Sequence, residues 1–207
     1  GAMVARITGN WGVTLMFEPG RVIAANAGVL VTEVIRVKPG VENPFVIVDA
    51  AMNDLARPAL YDAWHDFDAV TPTGERMVAN VVGPVCETGD TFAMARDIDA
   101  VAAGDLAIFR SAGAYGATMA SFYNSRAMVP EVMVDGSRWA IVANRIDPAT
   151  NRQGVADPAD NVDDRPARAS LLSDRRLCSR RHCSLHAAAL RHEPLRQGGK
   201  TGSASLR

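Results

Sequence analysis

Cysteine is scarce in these 207 residues: Cys86, Cys178 and Cys183 make an odd count without paired spacing. That argues against a disulfide framework and fits a reducing, cytoplasmic setting. Long apolar runs are missing as well. No stretch approaches ~18 uninterrupted apolar residues, so neither a span nor a membrane partner is expected. The opening GAMVARITGN has no basic segment leading into an apolar one, so no secretion signal is expected. Helical periodicity is sparse. Only DTFAMARDI (90–98) and GATMASFYN (116–124) suggest a turn or two or a short helix. Net charge is small too, −1 in total, but it conceals an asymmetry. Residues 165–207 hold ten basic groups against Asp174 and Glu193, a net of +8, whereas the preceding 164 residues hold 12 against 21, a net of −9.

What is present is strand-like. The composition, 48% hydrophobic and 22% charged, is that of a globular domain. The run TLMFEP (14–19) ends in a Pro-Gly bend and predicts a buried strand. AGVLVTEVIRVK (27–38) and PFVIVDA (44–50) are rich in β-branched residues and bounded by Pro and Gly. Residues 60–70, 77–85, 106–110, 131–135 and 138–143 are further strand candidates. VDGS (134–137) places Asp-Gly at a hairpin bend between the last two. Many short strands with frequent turns predict a mainly β barrel or sandwich. Beyond Asn144 the chain turns polar, Pro-interrupted and aperiodic, which predicts disorder.

Four clusters carry charged or reactive groups at turns. FEPGR (17–21) delivers Glu18, Gly20 and Arg21 across a Pro-Gly bend, where glycine admits a phosphate and arginine offers forked donors. MNDLARPALY (52–61) holds Arg57 and Tyr61 in a Pro-containing loop. GPVCETGD (83–90) sets Cys86 beside Glu87, and SAGAYGATMASFYNSR (111–126) flanks Tyr115 with glycines. Each alone reads as an ordinary surface loop. A thiol at such a bend is nevertheless placed by backbone rather than by a core.

In order and spacing, FEPGR, RPALY, GPVCE-x-GD, SAGAYG and YNSR together resemble the C-terminal part of the diaminopimelate decarboxylase family. These are fold-type-III decarboxylases that use pyridoxal 5′-phosphate (PLP). The likeness runs from about Thr14 to Ala143. It implies an N-terminal (β/α)8 barrel followed by a β-rich C-terminal domain. On this reading residues 1–25 are the remnant of the barrel, including its last strand. Residues 26–146 are the β domain, and 147–207 are a disordered or non-native tail. The family's cofactor-anchoring lysine precedes the EPGR motif, whereas the two lysines here, Lys38 and Lys200, follow it. The chain is therefore expected to be a C-terminal fragment, inactive by itself.

The resemblance also implies roles. Glu18 matches the glutamate that pairs with the PLP pyridinium nitrogen, an opposite charge that favours the protonated ring. Gly20 and Arg21 belong to the motif at the cofactor phosphate, and Arg21 also meets the substrate carboxylate. Tyr115 matches the tyrosine at the phosphate. Arg57 and Tyr61 match residues that grip the distal carboxylate, a task suited to a guanidinium fork. Cys86 matches the acid that protonates Cα once carbon dioxide has left. Thiols titrate near ~8.5 and hold a proton at neutral pH. Glu87 matches the residue that meets the distal ammonium. In the family this cysteine reaches the other subunit's site, which implies a homodimer with shared active sites and a small amino-acid substrate.

Cys-Glu favours diaminopimelate over ornithine, because related ornithine decarboxylases carry aspartate after the cysteine. Two rivals stand beside this reading. One is a decarboxylase of the same fold acting on ornithine, arginine or a polyamine precursor such as carboxynorspermidine. The other is a non-catalytic module that pairs with an intact homologue. The arginine-rich tail reads as out-of-frame sequence rather than a nucleic-acid arm. It gathers Cys183, His182, His186 and His192, but without a Cys-x-x-Cys pair no metal is expected.

Overall fold

In the computed structural model the described residues are 1–148, 162–163 and 185–189. Gly28–Lys38 forms β1, an eleven-residue strand from which the rest is built. Its apolar residues point both ways, so both faces can be covered. A register shift between Val34 and Arg36 divides it. The N-terminal half pairs antiparallel with β6 (Leu106–Phe109), and the C-terminal half pairs antiparallel with β2 (Phe45–Val48). Bulges raise local twist, and this one lets a single strand serve both flanks. On the β2 side, β4 (Arg76–Val82) runs parallel to β2 and antiparallel to β5 (Thr91–Asp99). On the other side, β3 (Phe67–Ala69) adds to β6. β7 (Glu131–Asp135) and β8 (Arg138–Ala143) form the hairpin expected at VDGS, with Gly136 at φ +59° in the bend.

The main core lies inside the curl. Phe109 packs against Phe92 and Phe67, with ring centroids 4.4 and 5.1 Å apart. Leu30, Val34, Val46, Val48, Leu55 and Val81 close around them, all fully buried. Burying each such side chain contributes about 2 kcal/mol. A second, smaller cluster joins Val31, Val132, Trp139 and Ile141.

Several expectations need correction. TLMFEP is not a strand: the chain before β1 consists of a helix α1 (Ala2–Thr8), an irregular segment, and a short helix α2 (Gly20–Ala24). No residue among 1–24 is buried, and without a neighbour to pair with, an extended segment has no ladder. DTFAMARDI is strand β5, because β4 beside it supplies the ladder that outweighs a weak helical pattern. GATMASFYN gives only two 3₁₀ turns, Ala117–Met119 and Tyr123–Ser125. Of residues 60–70, only Phe67–Ala69 is strand, and Tyr61 ends a helix.

Two short pieces of the span expected to be tail are also strands. β9 (Val162–Asp163) pairs with β8. β10 (Leu185–Ala189) lies between β1 and β7, antiparallel to the first and parallel to the second. Open ladder edges on β1 and β7 leave backbone groups to satisfy, and β10 satisfies both. Its His186 is buried and donates from Nε2 to the Asp54 carbonyl at 3.1 Å. The remainder of 147–207 lies outside the described residues, apart from Asp147 and Pro148 at its start.

Candidate active site

The loop after β2 begins at a buried carboxylate. Asp54 accepts the Ala51 N–H and the Asn53 Nδ2–H, both at 2.9 Å, and faces the Arg126 guanidinium at 3.7 Å. Burial pushes its carboxyl up to about 6, against the pull of the Ala51 N–H and Arg126. Leu55 inserts into the core beside it and fixes where the next helix starts. That helix, α3 (Arg57–Tyr61), has proline in its first turn. It ends at Asp62 in the left-handed region, whose N–H donates to the Arg57 and Pro58 carbonyls.

Arg57 therefore projects from a fixed point. Its guanidinium carbon stands 5.4 Å from the Tyr115 ring centroid and 6.0 Å from that of Tyr61. Two sequence clusters more than 50 residues apart meet here. The Arg57 Nε is buried without a hydrogen-bond partner. With Arg21, Asn26, Trp64, His65 and Ser111 it lines a cavity of about 480 Å³. His65 is held by Nδ1, 2.8 Å from the Arg110 carbonyl, which places the ring proton on that nitrogen. Burial lowers its pKa, with the Arg57, Arg21 and Arg96 charges acting in the same sense and the bond to the Arg110 carbonyl opposing them.

Tyr115 sits at φ +63°, a conformation costing about 1 kcal/mol for a residue with a Cβ. The turn around it tolerates this because its base is closed by glycine. A Cβ on Gly113 would stand 2.2 Å from the Ala24 carbonyl oxygen. Backbone bonds from Ala112 N–H to Gly28 and from Gly113 N–H to Ala25 pin that base to the start of β1.

Cys86 is exposed on the β4–β5 loop and does not line the Arg57 cavity. Glu87 beside it takes the Tyr123 hydroxyl through Oε2, a bond that raises the Tyr123 pKa. Glu18 and Gly20 lie on the exposed arm before β1, and of the FEPGR residues Arg21 alone lines the cavity. The structure thus gathers Arg21, Arg57, Tyr61 and Tyr115, and sets Cys86 and Glu87 on a separate loop. His65, Asp90, Tyr123 and Arg126 carry no sequence-derived role. Asp90, Tyr123 and Arg126 sit inside the quoted motifs, yet only tertiary contacts reveal what they touch.

The donor set suits an anionic group. Two arginines face one cavity, and one buried Nε lacks an acceptor, the arrangement a phosphate or carboxylate satisfies. An amine able to anchor an aldehyde cofactor is not among these residues: Lys38, the one lysine described, is exposed at the end of β1.

The described residues form a mainly β sheet domain in which Arg57 meets the rings of Tyr61 and Tyr115 and shares a cavity with Arg21. Residues 21–113 match the family model for the pyridoxal-dependent decarboxylase C-terminal sheet domain. Curated proteins similar to it include several named diaminopimelate decarboxylase. The Zymomonas mobilis enzyme is 58% identical over 145 residues, 70% of this chain and 34% of the relative. A solved Aquifex aeolicus structure aligns with a TM-score of 0.62 and 40% identity, over 70% of this chain and 36% of that one. A Helicobacter pylori diaminopimelate decarboxylase complexed with L-lysine aligns with a TM-score of 0.59 and 38% identity, over 69% and 35%. The chain spans about a third of the length of these relatives.

Proposed function

We propose that this chain furnishes the C-terminal portion of a diaminopimelate decarboxylase, which releases carbon dioxide from meso-2,6-diaminopimelate and leaves L-lysine, ending lysine biosynthesis by the diaminopimelate route. The single observation that carries the proposal is the Arg57 guanidinium. It is held between Tyr61 and Tyr115 with a buried, partnerless Nε, beside Arg21, in a domain whose relatives bear that name.

When bound, PLP supplies the electron sink that makes loss of carbon dioxide from Cα feasible. Glu18, Gly20, Arg21 and Tyr115 are the residues that would hold it. Arg21 would offset the charge of its phosphate, the Tyr115 hydroxyl would donate a hydrogen bond to it, and Glu18 would pair with the ring nitrogen. Arg57 and Tyr61 bind the substrate's distal carboxylate. Glu87 receives the distal ammonium, and the Cys86 thiol delivers a proton to Cα. Cys86 and Glu87 lie on a loop apart from the cavity, which supports a site completed by a second copy of the chain. The amine that anchors the cofactor comes from polypeptide outside this sequence, so the 207 residues alone are inactive.

Joining the full 207-residue chain to the N-terminal two-thirds of the Zymomonas mobilis relative tests this directly. The fused enzyme, loaded with PLP, is expected to prefer diaminopimelate over ornithine and lysine, and Arg57→Ala is expected to raise KM for diaminopimelate. Preference for a substrate without the distal carboxylate would defeat the reading.

A further inference from the structure

Asp90 is buried, and both of its carboxylate oxygens are used. Oδ2 accepts the Val85 N–H and Oδ1 accepts the Met52 N–H, each at 2.7 Å. Its backbone is engaged as well: its carbonyl accepts the Gly83 N–H at 2.9 Å, and its N–H donates to the Glu87 carbonyl at 3.1 Å. One residue thus closes the Cys86–Glu87 loop on itself and ties it to Met52, five positions ahead of Arg57. Room for that carboxylate exists because residue 83 is glycine; a Cβ there would stand 2.3 Å from Oδ2.

The tie extends into a ring of loops. Next to Met52, Asn53 donates through Nδ2 to the Ser121 carbonyl at 3.2 Å, and its own carbonyl accepts the Ser121 N–H at 2.9 Å. Arg126 donates from Nε to Asn53 Oδ1 at 2.8 Å and from Nη2 to the Asp49 carbonyl at 2.6 Å. Two residues beyond Ser121, the Tyr123 hydroxyl returns to Glu87. The circuit Glu87–Asp90–Met52–Asn53–Ser121–Tyr123–Glu87 is closed, and Asp90 is its junction between the Cys86 loop and the Arg57 loop.

We propose that Asp90 is a positioning residue that locks the loop bearing Cys86 and Glu87 to the loop bearing Arg57, so that proton donor and carboxylate clamp are held as one unit. This rests on the roles given to Cys86 and Arg57 above, but the locking itself is independent of them. A carboxylate is required because two N–H groups converge on it. The side-chain amide of an Asp90→Asn variant presents one acceptor and one donor, so one of the two N–H groups faces a donor and is released.

The experiment uses the full 207-residue chain in a Tyr61→Phe/Tyr115→Phe background, where Tyr123 is the sole tyrosine and its ionisation is followed by ultraviolet absorbance. Asp90→Asn is expected to move the Tyr123 titration downward, because Glu87 no longer stays against the phenol. Amide exchange at Val85 or Met52 is expected to accelerate. Gly83→Ala, which displaces the same carboxylate, should do likewise. Val81→Ala, a core change in β4, should lower stability without moving Tyr123. The proposal is overturned if Asp90→Asn leaves Tyr123 where it was, or if Val81→Ala moves it equally. Failure of Cys86 as a proton donor would show only in the fused enzyme's turnover and would leave these titrations unchanged.

Discussion

Asp54 gives the sharpest quantitative expectation. Its carboxyl is pushed from 3.8 to about 6 by burial, so the folded chain binds the proton more tightly than the unfolded chain does. The stability contributed by this group is therefore whole below its unfolded pKa and is lost as pH rises through its folded value. The full shift corresponds to about 3 kcal/mol, and about 2 kcal/mol of it falls between about pH 4.5 and about pH 7. Asp54→Asn mimics the protonated acid: it keeps an acceptor for the Ala51 N–H and cannot ionise. Urea unfolding of both proteins at the two pH values isolates the group, since every other titration cancels in the difference. Wild type is expected to gain about 2 kcal/mol relative to Asp54→Asn on going from about pH 7 to about pH 4.5. A gap that is constant, or that moves in the opposite sense, would refute the burial argument.

His186 works against Asp54. Burial lowers it from 6.5 to about 4, so its contribution is present above the unfolded value and lost on acidification. Relative to His186→Gln, wild type should lose about 3 kcal/mol between about pH 7 and about pH 4, read by the same unfolding assay. Phe109→Ala empties the centre of the aromatic trio and should cost about 3–5 kcal/mol, measured as a lower urea midpoint. Gly113→Ala drives a methyl to 2.2 Å from the Ala24 carbonyl, and should destabilise by about 1–3 kcal/mol while loosening the Tyr115 turn, visible as faster exchange of the amides at positions 112 and 113.

How far the sequence was readable depends on what each element needed. β1, β2, β4 and the β7–β8 hairpin were legible because β-branched runs end at Pro, Gly or Asp-Gly, signals that are local. β5 was not, since its identity depends on β4 lying alongside. TLMFEP misled for the converse reason: it has the composition of a strand but no partner among the described residues. β10 was invisible because LHAAA carries no strand signature and gains its conformation from two distant edges. At the site, the family resemblance carried by the motifs singled out Glu18, Gly20, Arg21, Arg57, Tyr61, Cys86, Glu87 and Tyr115. The meeting of Arg57 with Tyr115 could not be read from spacing alone. Neither could Asp90, whose two oxygens matter only because Val85 and Met52 arrive from different loops.

If this chain brings the proton donor and the carboxylate clamp to a PLP-dependent decarboxylation, turnover of meso-diaminopimelate by the fused enzyme, with and without Cys86→Ala, reads both at once. L-lysine and carbon dioxide are expected to form, with kcat falling by about 10²–10⁴-fold in the variant. A folded, PLP-loaded enzyme that makes no lysine, or whose kcat is unchanged by Cys86→Ala, would contradict that expectation.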